Sequence, residues 1–212
     1  MMLRMDILIF DSKEPTNTMR KHMKEFCSHL FEVGVDIPYD IIDDIYFEQS
    51  PQTIQKCFFF ADDDYENEMI EFCNNSKKHD LSLLLGHYFF IRNEDILSKS
   101  FNNIIESEEY IDTIKNSKYL LTSSVNATLE SLASGNYPVF FQRKVKPFKG
   151  ELEILEKYNI PTIQADNLDD LIVKFENIIA NYPQTNNIKK IDISNIVTTI
   201  ENTMKKYESV IQ

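Results

Sequence analysis

The chain has 212 residues, 42% of them hydrophobic, with only 4 Gly and 7 Pro and a formal net charge of −12. That length holds one α/β domain with a modest appendage and excludes two large domains, and the hydrophobic content excludes a disordered chain. The acidic balance excludes a surface that follows nucleic-acid phosphates, which takes clustered Lys and Arg, so nucleic acid is not an expected partner.

In chain order, the opening contains the strand-like run DILIF (residues 6–10), then a helical stripe at Met19, Met23, Phe26, Leu30 and Phe31. Residues 34–56 are the least regular, and VDIPYDIIDDIYFEQSP reads as a short helix plus a strand. The runs CFFFA (57–61), LSLLL (81–85), YLL (119–121), YPVFF (137–141) and PTIQ (161–164) are apolar on both faces, as strands of a buried parallel sheet are. Between them, Met69, Ile70, Phe72 and Cys73 mark one helix. Leu168, Leu171, Ile172, Phe175, Ile178 and Ile179 mark another, with Asp166 or Asn167 as its N-cap.

Residues 191–211 form a further amphipathic helix. The polar segment YPQTNNIKK before it reads as a loop. Strands alternating with helices predict a doubly wound, Rossmann-like α/β domain with a mainly parallel sheet. The expected organisation is one domain over 1–212: a strand-helix extension (1–55), a core (56–181) and a C-terminal helix (188–212).

The three cysteines, Cys27, Cys57 and Cys73, have no metal-ligand spacing and read as free thiols of a reducing compartment. No run approaches the roughly 18 apolar residues of a membrane span. The expectation is a cytoplasmic protein without a resident metal or cofactor. Asp62, Asp63 and Asp64 end the CFFFA strand. Three carboxylates there can hold Mg²⁺, but no second acidic cluster completes such a site, so the expected role is a solvated loop with Asp63 or Asp64 capping a helix near Tyr65. Arg143, Lys144, Lys146 and Lys149 form the one local excess of base.

The segment YLLTSSVNATLESLASGNYPVFF (119–141) is the richest in chemistry. Its first strand ends at Thr122, and Ser123, Ser124, Val125 and Asn126 turn the chain into a helix predicted over 127–134. The first N–H groups of a helix lack intrahelical partners and carry partial positive charge, which favours an anion. Ser and Thr hydroxyls can cap that helix and also donate to a phosphate, although Ser124 or Asn126 as a simple N-cap is an equally ordinary role. Glu130, about a turn further on, can accept from the two hydroxyls of a ribose or stand solvated. Gly135 is placed to close the helix at C′.

The stretch SKYLLTSSVNATLESLASGNYPVFF resembles the strand, serine-containing loop, Glu-bearing helix and Pro-Val strand of the C-terminal, sugar-nucleotide-binding domain of GT-B fold glycosyltransferases. FNNIIESEEYIDTIKNSKYLL is similar to the short strand, helix and strand that lead into that site, and EILEKYNIPTIQADNLDDLIVKFENII to the helix, strand and helix that close it. The resemblance covers residues 56–181. Variants of the arrangement occur in UDP-N-acetylglucosamine 2-epimerases and in capsule and sialic-acid transferases. It implies that Glu130 holds the donor ribose and that Ser123, Ser124, Asn126, Ala127 and Thr128 hold the phosphate of a UDP- or CMP-sugar. Some sialyltransferases place a phosphate-binding His before a Pro at a comparable strand end, which maps to His87, here followed by Tyr88.

GT-B enzymes have two Rossmann-like domains, and residues 1–55 are too few for the second. The resemblance therefore implies glycosyl transfer with the acceptor site completed by a second copy, a partner subunit or a membrane-associated protein, and no catalytic base is identifiable in the chain. The competing expectation is a non-catalytic nucleotide-binding or interaction module derived from a glycosyltransferase half.

Overall fold

The structure, a computed structural model, describes residues 40–61, 64, 68–86, 94–144 and 149–211. The expected strand at 6–10, the striped helix that follows it, and His87 lie outside those residues. The chain divides into two compact units, Ile42–Lys190 and Met1–Ile41 with Ile191–Gln212.

The unit Ile42–Lys190 is built on a six-stranded sheet of β1 (Ile54–Phe59), β2 (His79–Leu84), β3 (Phe101–Ile105), β4 (Ser117–Thr122), β5 (Tyr137–Gln142) and β6 (Thr162–Gln164), in the order β3-β2-β1-β4-β5-β6. Every neighbouring pair is parallel. This is the Rossmann-like, doubly wound arrangement expected from the alternation of apolar runs. Its connections run one way from β1 through β2 to β3, then return to the other side of β1 and continue through β4 to β6. The topological switch point therefore lies between the carboxyl ends of β1 and β4.

The helices are α1 (Glu68–Cys73), α2 (Glu94–Ser100), α3 (Tyr110–Asn116), α4 (Val125–Ala133), α5 (Lys149–Lys157) and α6 (Leu168–Ala180). Alternation along the strands sorts the core onto two faces. Phe58 and Phe60 join Leu81, Leu83, Leu121, Val139 and Phe141 beneath Met69 and Phe72 of α1, Leu97 of α2 and Leu171 and Phe175 of α6. Cys57, Phe59 and Leu120 face the opposite way, toward Ile114 of α3 and Ala127 of α4. Phe140 meets Leu129 and Leu132 of α4 and Ile154 and Leu155 of α5. Each fully buried Phe contributes about 1.5–3 kcal/mol by leaving water, and the cluster Phe58, Phe60, Phe72 and Phe141 adds edge and tilted ring contacts.

Helix ends follow local chemistry. Asn167 caps α6, its side chain accepting from Asp170 N at 3.0 Å, which decides between the two expected caps. Gly135 takes φ of +75° at the end of α4. There Gly135 N donates to Leu132 O and Asn136 N to Ser131 O, at 3.0 and 3.1 Å, the two bonds of a Schellman close. Asn159, with φ of 54°, closes α5 in the same way.

The irregular region 34–56 resolves, where described, into a 3₁₀ turn at Asp44–Phe47 with Asp43 as its cap and Tyr46 buried, followed by β1. The polar segment 182–190 is tied down rather than loose: Asn186 N donates to Tyr158 O at 3.0 Å and its side chain to Lys157 O at 2.7 Å. In the other unit, α7 (Ser194–Ile211) agrees with the predicted amphipathic helix, and Asp192 accepts from both the main chain and the hydroxyl of Ser194 where it begins. No helix among the described residues is long and apolar enough to cross a membrane.

Candidate functional site

The switch point joins β1 and β4 in register up to Phe59 opposite Thr122. One residue further, Ser123 continues the connection: its N–H donates to Phe60 O at 3.2 Å and its hydroxyl donates to the same carbonyl. That hydroxyl is committed to holding the two strand exits together.

Ser124 is the N-cap of α4. Its Oγ accepts from Ala127 N at 3.2 Å, its carbonyl from Thr128 N at 3.0 Å and Thr128 Oγ1 at 2.8 Å, and its own N–H donates to Thr122 Oγ1 at 3.0 Å. The helix accordingly begins at Val125, two residues before the predicted start, because the cap is Ser124. Thr122, Ala127 and Thr128 are fully buried, so they shape the corner from beneath.

Ser124 is half-buried and the Asn126 side chain is exposed, and a helix supplies no acceptor for the first-turn N–H groups of Val125, itself buried, and Asn126. Asn126 and Glu130 are four residues apart and share one stripe of α4. Glu130 is half-buried, about 9 Å along the axis from Ser124 at the usual helical rise. Tyr110, the first residue of α3, donates its phenolic O–H to Glu130 Oε2 at 2.6 Å. Of the seven residues singled out in the sequence, Asn126 and Glu130 thus share one stripe of α4, and Ser124 caps its start. Ser123, Ala127 and Thr128 build its foundation, and His87 is outside the described residues.

The second corner at the switch point, after β1, is closed by the protein's own charges. Asp64 is buried and accepts from Glu68 N at 2.8 Å and Met69 N at 3.0 Å, satisfying the first turn of α1 with a carboxylate. Asp64, one of the two expected caps, holds these N–H groups, and Asp63 lies outside the described residues. Arg143, just past β5, lies 3.7 Å from Asp64 Oδ1 and 3.1 Å from Glu68 Oε2, with its guanidinium 4.9 Å from the Phe60 ring centroid. Lys144 pairs with exposed Glu71 at 3.9 Å. The local excess of base read in the sequence is thus, for its first two residues, matched by carboxylates of α1. Among the described residues no group of His, Cys, Asp or Glu could hold a metal ion.

The sequence marks Arg143 as part of a basic cluster but not its carboxylate partners, and it does not mark Tyr110. Arg143 reaches a carboxylate 79 positions earlier and Tyr110 one 20 positions later, separations that no local pattern encodes. Burial pushes the Cys57 and Cys73 thiols up to about 12, leaving both neutral at ordinary pH. No protein-family model matches the chain, and no curated protein matches it in sequence.

Proposed function

We propose that the protein binds a nucleotide-activated sugar, a UDP- or CMP-sugar, at the corner between β4 and α4, and serves in the cytoplasm as the donor-binding half of a glycosyltransferase. The observation that carries the reading is the stripe of Asn126 and Glu130 on α4 beside the capped N-terminus at Ser124, at the switch point where open α/β sheets bind ligands. The phosphate would take the Ser124 O–H and the N–H groups of Val125 and Asn126, and Glu130 would accept from the ribose hydroxyls. The protein's part in glycosyl transfer is then positioning the donor and stabilising the departing phosphate. The acceptor site and any general base come from a second copy or a partner subunit, at a membrane surface in one arrangement.

A specific observation favours the other reading, a non-catalytic interaction module. The hydroxyls of Ser123 and Thr128 donate to main-chain carbonyls, and the first turn of α1 is occupied by Asp64. A thermal-shift screen with UDP, GDP, CMP and their sugar conjugates separates the two. A ligand that binds only the folded state raises the midpoint by mass action. A rise with one nucleotide supports the donor-binding reading, and its loss in Glu130→Ala ties it to this corner. No rise with any of them refutes that reading in favour of the module.

A further inference from the structure

We infer that Tyr110 is a positioning residue for Glu130 and thereby sets a preference for ribose over 2′-deoxyribose in the bound nucleotide; the inference rests on the nucleotide-sugar reading above. Tyr110 stands at the first position of α3, and its ring meets that of Phe59 edge-on, with centroids 5.2 Å apart. Phe59 is fully buried and ends β1, so the phenol is anchored to the switch-point strand itself. From that anchor the O–H donates to Glu130 Oε2 at 2.6 Å, within the short range of an O–H donor on an ionised carboxylate.

The pairing bears on ligand binding because Glu130 is half-buried on a long, rotamer-rich side chain. Ordering such a side chain when a ligand arrives opposes binding, and a partner that orders it beforehand removes that opposition. An ionised carboxylate offers about four lone-pair positions, enough for the phenol and for both hydroxyls of a vicinal diol. A 2′-deoxyribose lacks one of those hydroxyls, so a carboxylate held in the right rotamer distinguishes the two sugars. A carboxylate without that hydrogen bond distinguishes them less. Tyr110 touches neither sugar in this scheme and acts through Glu130.

The experiment is calorimetric titration of the wild type, Tyr110→Phe and Glu130→Gln with UDP, GDP and CMP and with their 2′-deoxy counterparts. The wild type is expected to prefer the ribose form of the nucleotide it binds by roughly tenfold or more, as a hydrogen bond to a charged group allows. Tyr110→Phe keeps the ring against Phe59, and it should lose most of that preference while its affinity for the 2′-deoxy form stays within about twofold.

A merely structural tether between α3 and α4 would instead weaken both forms together and leave the ratio intact, which overturns the inference. So does a result in which Glu130→Gln abolishes the preference and Tyr110→Phe keeps it. Failure of the wild type to bind any of these nucleotides refutes the nucleotide reading itself. Should Tyr110→Phe not fold, Glu130→Asp, which withdraws the carboxylate from the phenol and leaves α3 untouched, must show the same collapse of the ratio.

Discussion

Replacing Asp64 by Ala removes two kinds of support at once. Its carboxylate, almost wholly buried, satisfies the N–H groups of Glu68 and Met69, and with Glu68 it faces Arg143. Loss of a side-chain acceptor for first-turn N–H groups, by analogy with loss of an N-cap, costs about 1 kcal/mol and up to about 2. Removing one partner of a buried ion pair costs about 3–5 kcal/mol when the other charge is left alone, but Glu68 stays 3.1 Å from Arg143 Nε and retains part of that interaction. The expected total is about 2–4 kcal/mol. In a protein of this size that corresponds to a fall in Tm of roughly 4–16 °C.

Urea denaturation of the wild type, Asp64→Ala, Arg143→Met and the double variant measures both parts. The double variant should be less destabilised than the sum of the singles by about 1 kcal/mol or more, because removing both charges strands neither. Asp64→Asn, which keeps a capping oxygen without the charge, should fall between wild type and Asp64→Ala. The reasoning is refuted if Asp64→Ala costs less than about 0.5 kcal/mol, or if the two single effects add without coupling.

Three further outcomes are expected. Gly135→Ala should cost about 1–2 kcal/mol in urea denaturation, all of it from the left-handed backbone at φ of +75°, since a Cβ there meets nothing within 4 Å. A loss well above that range would mean a contact this geometry lacks. Phe141→Ala should cost about 3–5 kcal/mol, because its ring is fully buried against Phe58, Phe60 and Phe72.

Cys57 and Cys73 should resist thiol labelling at pH 8 in the folded protein and react on unfolding, with sites located by mass spectrometry. Burial raises both pKa values from the ordinary 9.0 to about 12, so the stability these neutral thiols contribute is complete below pH 9. It is lost as pH rises from 9 toward 12, at about 1.4 kcal/mol per pH unit for each thiol. Rapid labelling of either residue in the native state at pH 8 would contradict the burial.

The sheet was legible because a central parallel strand is buried on both faces and must be apolar throughout. YLL and YPVFF lie within β4 and β5, while CFFFA and LSLLL overlap β1 and β2 and run past their ends by two residues and one. By the same logic β3 gave no periodic signal and entered only through family resemblance. It is an edge strand whose Asn102 and Asn103 face water, Asn102 bonding to Asp80, so its residues need not be apolar. Helix ends were legible where one residue's backbone chemistry decides them, as at Gly135 and Asn167. The start of α4 lies two residues before the expected one because Ser124 and Asn126, either side of Val125, cap equally well in isolation.

What the sequence determined by itself is the class of fold and the corner where small polar residues meet a helix, since both rest on patterns confined to a few consecutive residues. The tertiary structure decided how those polar groups are used. Whether the Ser123 hydroxyl faces a ligand or the carbonyl of Phe60 depends on β1 lying beside β4, 63 positions away. Whether Glu130 stands in water or against a phenol depends on α3 packing next to α4. A hydroxyl or a carboxylate carries the same chemistry in either setting. Its partner is chosen by which strands and helices come to lie together, and burial of the apolar core, rather than the polar residues, drives that choice.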